Sequence, residues 1–342
     1  MCIIDPEISS AQRPTQNPQH PTRNAKPTTL DPSPKLMRWT AFLLLLAVVW
    51  TGCIEFERAD EAAPSDTTAA QAPGTDIYLA ALTVDDGQVQ IGEPTNVTRR
   101  PGYDNQPAFL TDGSGFLYTS VRNGQADTYQ YVLAADTSTR VTDTPESEYS
   151  PTPVEDGFST IMVEFDGTQR LWQYDMDGSD PEVLFPNIQP VGYHTWASEQ
   201  LVALYVLGDP PTLQLGNART QLVVDTLATD IGRSMHNIPG RPAISYVQYT
   251  SDSTSIIRAL QGATRTATDL VETIDGGDFH AWTPGGILLM ARGSTLYQWT
   301  DGADGWQPVA DLAPLQDITR LAVSLNGTRL ALVAAEPTEE SP

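Results

Sequence analysis

Asn105–Thr144 reads NQPAFLTDGSGFLYTSVRNGQADTYQYVLAADTSTRVTDT. Four short runs alternate apolar with polar residues: PAFL, GFLYTS, DTYQYVL and TRVT. Asp112-Gly113-Ser114-Gly115, Asn123-Gly124 and Ala135-Asp136 separate them. Alternation bounded by Gly, Asn and Asp is the signal of strands joined by tight turns. Four short strands in roughly 40 residues make a unit the size of one β-propeller blade.

Diverged copies of this unit fill the chain. The first opens at Pro107-Ala-Phe109 with Asp112-Gly113, and the second at Pro151-Thr-Pro153 with Asp156-Gly157. The third opens at His194-Thr-Trp196, the fourth at His236-Asn-Ile238 and the fifth at His280-Ala-Trp282. Leu321-Ala-Val323 with Asn326-Gly327 opens a sixth. The starts lie 41–44 residues apart, and an even period with diverged letters is the mark of a repeat architecture. The pattern resembles the TolB-like propeller repeat, Pro-x-aromatic-Ser-Pro-Asp-Gly followed by an apolar strand and an Asp-Ile-Tyr strand. The sixth copy ends after RLALVAA, two strands short. Asp76–Leu82 and Val89–Thr98 look like the third and fourth strands of a blade that lacks its first two. The expectation is therefore an all-β, six-bladed propeller over 76–335, closed by pairing N- and C-terminal strands, which removes exposed sheet edges.

The chain carries 43 acidic and 19 basic side chains, a net charge of −24, and it has no lysine after Lys35. Such a surface excludes nucleic acid as a partner, because phosphate binding needs a cationic footprint. It also disfavours adsorption to anionic lipid. It suits either a salt-adapted organism or an acidic secreted protein. The two cysteines, Cys2 and Cys53, lie outside the repeats, so the propeller has no disulfide and no cysteine-based metal site.

Residues 1–36, rich in Pro, Gln, Thr and Asn, have no apolar periodicity; they are either a disordered extension or lie ahead of a true start at Met37. MRWTAFLLLLAVVWTGC over 37–53 has a basic residue, a short apolar run and small residues before a cysteine, the layout of a secretory signal helix. Thr51-Gly52-Cys53 resembles the lipobox of bacterial lipoproteins, with Trp50 where leucine is usual. That resemblance implies lipidation of Cys53, a membrane anchor, and a place in the bacterial envelope, periplasmic or on the outer-membrane surface. A plain signal peptide is the alternative. Residues 54–75 read as a disordered tether and 336–342 as a tail.

The first strand of each propeller blade lines the central channel, which places Pro107, Pro151, His194, His236, His280 and Leu321 in one ring. Three consecutive ring positions are histidine. Converging neutral imidazoles can hold a divalent metal, and some propeller lyases related to this repeat do so. The competing reading makes them structural or generic ligand-binding groups, packed on Trp196 and Trp282, with Asp278 orienting His280. Channel-mouth candidates are thus His194, Trp196, His236, His280 and Trp282, and the candidate metal set is His194, His236 and His280. Asp175-Met-Asp177-Gly178 lacks the later ligands of a calcium loop and reads as a turn. No Gly-x-Ser-x-Gly elbow occurs. The favoured expectation is a monomeric, non-enzymatic scaffold without cofactor, binding an envelope protein, peptide or glycan. The TolB resemblance implies protein partners. A metal-dependent lyase or hydrolase and a small-ligand sensor are the alternatives.

Overall fold

The computed structural model describes residues 74–251, 254–274 and 277–336. The expectations for 1–36, the signal segment 37–53 with Cys53, the tether up to residue 73, and the tail beyond residue 336 lie outside the described residues. All regular structure among the described residues is β.

Blade 1 is built from Asp104–Phe109, Gly115–Arg122, Gln125–Val132 and Thr137–Arg140, numbered here from the channel outward. Its strands fall on the four runs read from the sequence. The hairpin turns follow from local chemistry: Asp112 Oδ1 accepts from Ser114 N at 2.9 Å, while Gly113 takes a φ of 73° that a side chain would resist. The first three strands of blade 2 are Ser147–Val154, Gly157–Val163 and Gln169–Tyr174; those of blade 3 are Val191–Trp196, Leu201–Val206 and Thr212–Asn217. The corresponding strands are Ile231–Asn237, Ala243–Tyr249 and Ser255–Gln261 in blade 4, and His280–Trp282, Leu288–Arg292 and Thr295–Trp299 in blade 5. Each of these sheets adds a fourth strand in sequence order.

The sixth sheet runs Leu321–Val323, Arg329–Ala335, Thr75–Asp85, Gln88–Ile91. Its seam pairs Thr75 with Ala335 and continues in antiparallel register to Ala81 with Arg329. The expected closure is therefore present. Its outer strand is refined: in place of one strand over 89–98, Gln88–Ile91 and Thr95–Asn96 pair separately with Thr75–Asp85. The break falls at Gly92-Glu93-Pro94, where proline has no N–H to give to the ladder.

Both faces of each sheet are covered by a neighbour, so alternate residues of one strand serve different interfaces. Phe116 and Tyr118 pack on Ile77, Ala331 and Val333 of blade 6, whereas Leu117 between them packs on Phe158 and Tyr174 of blade 2. Ile161 and Leu171 meet Val202 and Leu204, and Tyr205 and Leu213 meet Ile244 and Tyr246. Val247 and Ile257 meet Leu288 and Met290, and Leu289 and Leu296 meet Leu330 and Leu332. Six interfaces, each with its own apolar cluster, hold the ring by area burial. The Asp175–Gly178 segment is a turn, Gly178 N donating to Asp175 O at 2.9 Å. A Cβ on Gly178 would come within 2.2 Å of Val141 O, so only glycine fits there.

Candidate functional site

The inner strands enclose a channel cavity of about 520 Å³ to which all six blades contribute. Pro107, Pro151, His194, His236, His280 and Leu321 all line it, as does Trp282. The repeat positions therefore do converge, but the histidines within them are differently employed.

His194 is 8% exposed, and its Nε2 lies 2.7 Å from Ser159 Oγ, on the second strand of the preceding blade. Trp196 Nε1 donates to the same oxygen at 2.8 Å. Blade 5 repeats the device: His280, fully buried, places Nε2 2.8 Å from Ser245 Oγ of blade 4, which also accepts from Trp282 Nε1 at 2.8 Å. A His-x-Trp at the head of one blade thus clamps a buried serine, the third residue of the second strand, in the blade before. Blade 3 has Ala203 at that serine position, and blade 4 has Ile238 in place of tryptophan. His236 accordingly lacks the clamp. Its Nε2 sits 3.2 Å from Ser234 Oγ on its own strand, and its ring stands edge-on to His280 at 4.9 Å.

Desolvation governs all three imidazoles. Burial lowers His194 to about 3 and holds His280 well below the ordinary histidine value; burial, then the Arg320 charge, lowers His236 to about 4. All three are neutral at physiological pH. Among the described residues, no three His, Cys, Asp or Glu side chains come together as a metal-ligand set. Of the three candidate ligands, His194 and His280 have Nε2 engaged by the preceding blade's serine and Nδ1 left over, and His236 turns Nε2 to Ser234. Asp278 does not orient His280. Its Oδ1 accepts from Tyr249 OH at 3.0 Å, while Nδ1 of His280 has no hydrogen-bond partner.

The prolines at the ring positions of blades 1 and 2 mark bulges in the first strand, with Gln106 and Ser150 at φ of 60° and 55°. Gln106 Oε1 accepts from Ser150 N at 2.6 Å and from Thr119 Oγ1 at 2.9 Å, fastening blade 1 to blade 2. Positive φ at a non-glycine residue costs on the order of 1 kcal/mol, and here the neighbouring blade over-determines it.

Sequence reasoning passed over Tyr193, Arg233, Phe279 and Arg320, all of which line the channel. Arg320 lies with its guanidinium carbon 4.1 Å from the Phe279 ring centroid and 5.1 Å from that of Tyr193, whose OH accepts from its Nη2 at 3.2 Å. Arg233 is depressed first by desolvation, which Asp278 opposes and Arg320 reinforces. Arg320 immediately precedes Leu321, and Arg233 stands three residues before His236. Basic residues beside the repeat starts of so acidic a chain were the available signal.

No protein-family model matches the chain, and no curated protein is similar to it in sequence. Solved structures do share its fold. A protein described as TolB, from Agrobacterium tumefaciens, superposes with a TM-score of 0.58 at 14% identity, over 77% of this chain and 99% of that one. A chain of a nidogen/laminin complex gives 0.55 at 13% identity, over 76% and 98%. An oligogalacturonate lyase in complex with manganese gives 0.50 at 15% identity, over 75% and 82%. The fold is that of the TolB-like six-bladed propellers.

Proposed function

We propose that this chain is a lipid-anchored propeller of the bacterial envelope, working as a binding scaffold that presents its channel mouth to a protein, peptide or glycan. One observation carries the reading: a closed ring of six blades surrounds an open cavity of about 520 Å³ to which every blade contributes. That volume is typical of ligand sites, roughly 300–1,000 Å³. A ring fastened across its blades by buried serine, glutamine and apolar clusters is a rigid support for such a surface. The likeness to the TolB fold, and to a chain solved within a nidogen/laminin complex, supports protein partners. The Thr51-Gly52-Cys53 sequence supports the anchor.

Fractionation tests the anchor. The wild type is expected with the membranes and Cys53→Ala with the soluble proteins; a soluble wild type, or a variant that stays membrane-bound, refutes it. Site-specific photo-crosslinking in cells tests the face. A photoreactive residue at Asn237, exposed beside the channel, is expected to give adducts, while one at Gln307, on the outer strand of blade 5, is not. Adducts from Gln307 alone, or from neither position, overturn the proposal.

A further inference from the structure

Outside the channel, a cleft of about 540 Å³ opens where the chain crosses from blade 1 to blade 2. Thr144 and Glu146 of that crossing line it, opposite Glu164, Phe165 and Asp166 of the hairpin between the second and third strands of blade 2. Its ionised residues are Glu146, Glu164 and Asp166 against Arg170. Arg170 is fully engaged: Nε lies 2.6 Å from Glu164 Oε1, Nη2 meets Oε2, and Nη1 donates to Pro186 O at 3.1 Å. Glu146 and Asp166 are left over, for neither has an ion-pair partner among the described residues. Behind the cleft stands Glu148, buried and bonded only to the hydroxyls of Thr142, Thr144 and Tyr174. Thr144 and Tyr174 also line the cleft. Carboxylates gathered without a matching cation create a field that favours one.

Apolar surface marks the same place. Phe165, at the tip of the hairpin, is 96% exposed, whereas every other described phenylalanine is buried. A large apolar side chain held in water beside a cleft is an anchor for a partner. The hairpin holds it out in advance. Gly167, at a φ of 86°, donates its N–H to Glu164 O at 2.7 Å, and Asp166 Oδ1 accepts from Thr168 N at 2.9 Å. Trp172, half-buried, lines the cleft with its Nε1 fixed on Glu164 Oε1 at 2.9 Å. Indole is the aromatic ring best suited to receive a cation.

We propose that this cleft docks a basic segment of a partner protein, whose lysine or arginine side chain enters beside Glu146, Asp166 and Trp172 while an apolar neighbour covers Phe165. Charge complementarity names the occupant. A free small cation would answer the carboxylates and leave Phe165 in water. A second copy of this chain has the wrong sign, with a net charge of −24 and no lysine after Lys35. Anionic lipid has the wrong sign as well. The cleft and the channel share no lining residue, so a partner held here leaves the channel mouth free.

The test titrates the full chain, by fluorescence anisotropy at about 0.15 M salt, with fluorescein-labelled Gly-Leu-Lys-Leu-Lys-Leu-Gly. Matched peptides carry glutamine or glutamate in place of both lysines. The lysine peptide is expected to bind and the other two are not. Phe165→Ser should weaken it about tenfold or more, as uncovering a large apolar side chain implies. Glu146→Gln and Asp166→Asn should each weaken it about fivefold, the upper end for a partly exposed ion pair. Glu93→Gln, which removes an exposed carboxylate from blade 6, should leave binding unchanged. Unaltered urea midpoints check that each variant keeps its fold, and the comparison of peptides on the wild type stands even if one does not. No binding of the lysine peptide, equal binding of its glutamine counterpart, or equal weakening by Glu93→Gln overturns the cleft. Displacement of the peptide by an equal concentration of free lysine makes it a small-cation site, and dimers lost on Phe165→Ser assign it to a second copy; either result overturns partner docking. Crosslinks from Asn237 with no peptide binding here separate failure of the cleft from failure of the channel reading.

Discussion

Removing one hydroxyl, in Ser245→Ala, tests whether the channel histidines are structural fasteners. Ser245 is completely buried, and its Oγ serves two partners at 2.8 Å, His280 Nε2 and Trp282 Nε1. A buried group that loses its partner costs about 1–3 kcal/mol. His280, fully enclosed, bears that cost in full, whereas the partly exposed Trp282 recovers part of it by turning its N–H to water. The expected loss is therefore about 2–4 kcal/mol, read as a lower urea midpoint in denaturation followed by tryptophan fluorescence. Ser159→Ala should cost a similar amount through His194 and Trp196. The two clamps join different pairs of blades, so the double variant should be additive within about 0.5 kcal/mol. Blade 3 provides the internal control. Ala203→Ser adds a hydroxyl facing a blade with no His-x-Trp, and should give no gain. A Ser245→Ala effect below about 0.5 kcal/mol would falsify the clamp and return His280 to the pool of ligand-binding groups.

Two further perturbations probe other parts of the ring. Glu148 is fully buried, and desolvation, aided by the Asp127 charge, raises its carboxyl from 4.5 to about 7. Between those two values the folded state binds the proton that the unfolded state has lost, so this group's contribution to stability falls as pH rises from about 4.5 to 7 and is flat above. Glu148→Gln should consequently stabilise the protein at pH 8 relative to pH 4.5, by on the order of 3 kcal/mol at most; equal effects at both pH values would exclude the raised carboxyl. Excision of Thr75–Asp85 should strip blade 6 of its third strand and expose Arg329–Ala335 as an unpaired edge. Size-exclusion chromatography is expected to show aggregation, and a monodisperse, protease-resistant product would refute closure by this seam.

The architecture was legible because blade 1 states its pattern in full: period-2 alternation and Asp-Gly and Asn-Gly turns fall where the strands and hairpins form. The worn copies at His194 and His236 were found from spacing alone, and their sheets have the same order. The clamps were half visible. His-x-Trp stood in the sequence, but its serine lies 35 residues upstream on another blade, and no local pattern links the two. Reading the histidines as converging assumed that side chains on adjacent inner strands point to a common centre. The three do line one cavity, but the preceding blade's hydroxyl, an inter-sheet contact, takes Nε2 of His194 and of His280. The arginine pair was hidden for a similar reason. Arg233 and Arg320 are 87 positions apart, and only the closed ring, with a register shift between Ile231 and Met235 on the strand carrying Arg233, brings both to the channel wall.

The seam of blade 6 also orders events in time. Thr75–Asp85 is the earliest strand of the ring to be synthesised, and its partner Arg329–Ala335 is the latest, some 240 residues further on. At roughly 5–20 residues per second, the interval between them is about 12–50 s. Throughout it Ile77-Tyr78-Leu79-Ala80-Ala81-Leu82 can pair on one side with the Gln88–Ile91 and Thr95–Asn96 strands that follow it, while its other edge waits for Arg329–Ala335. The edge that the finished ring covers at this seam is thus open for as long as the rest of the chain is being made.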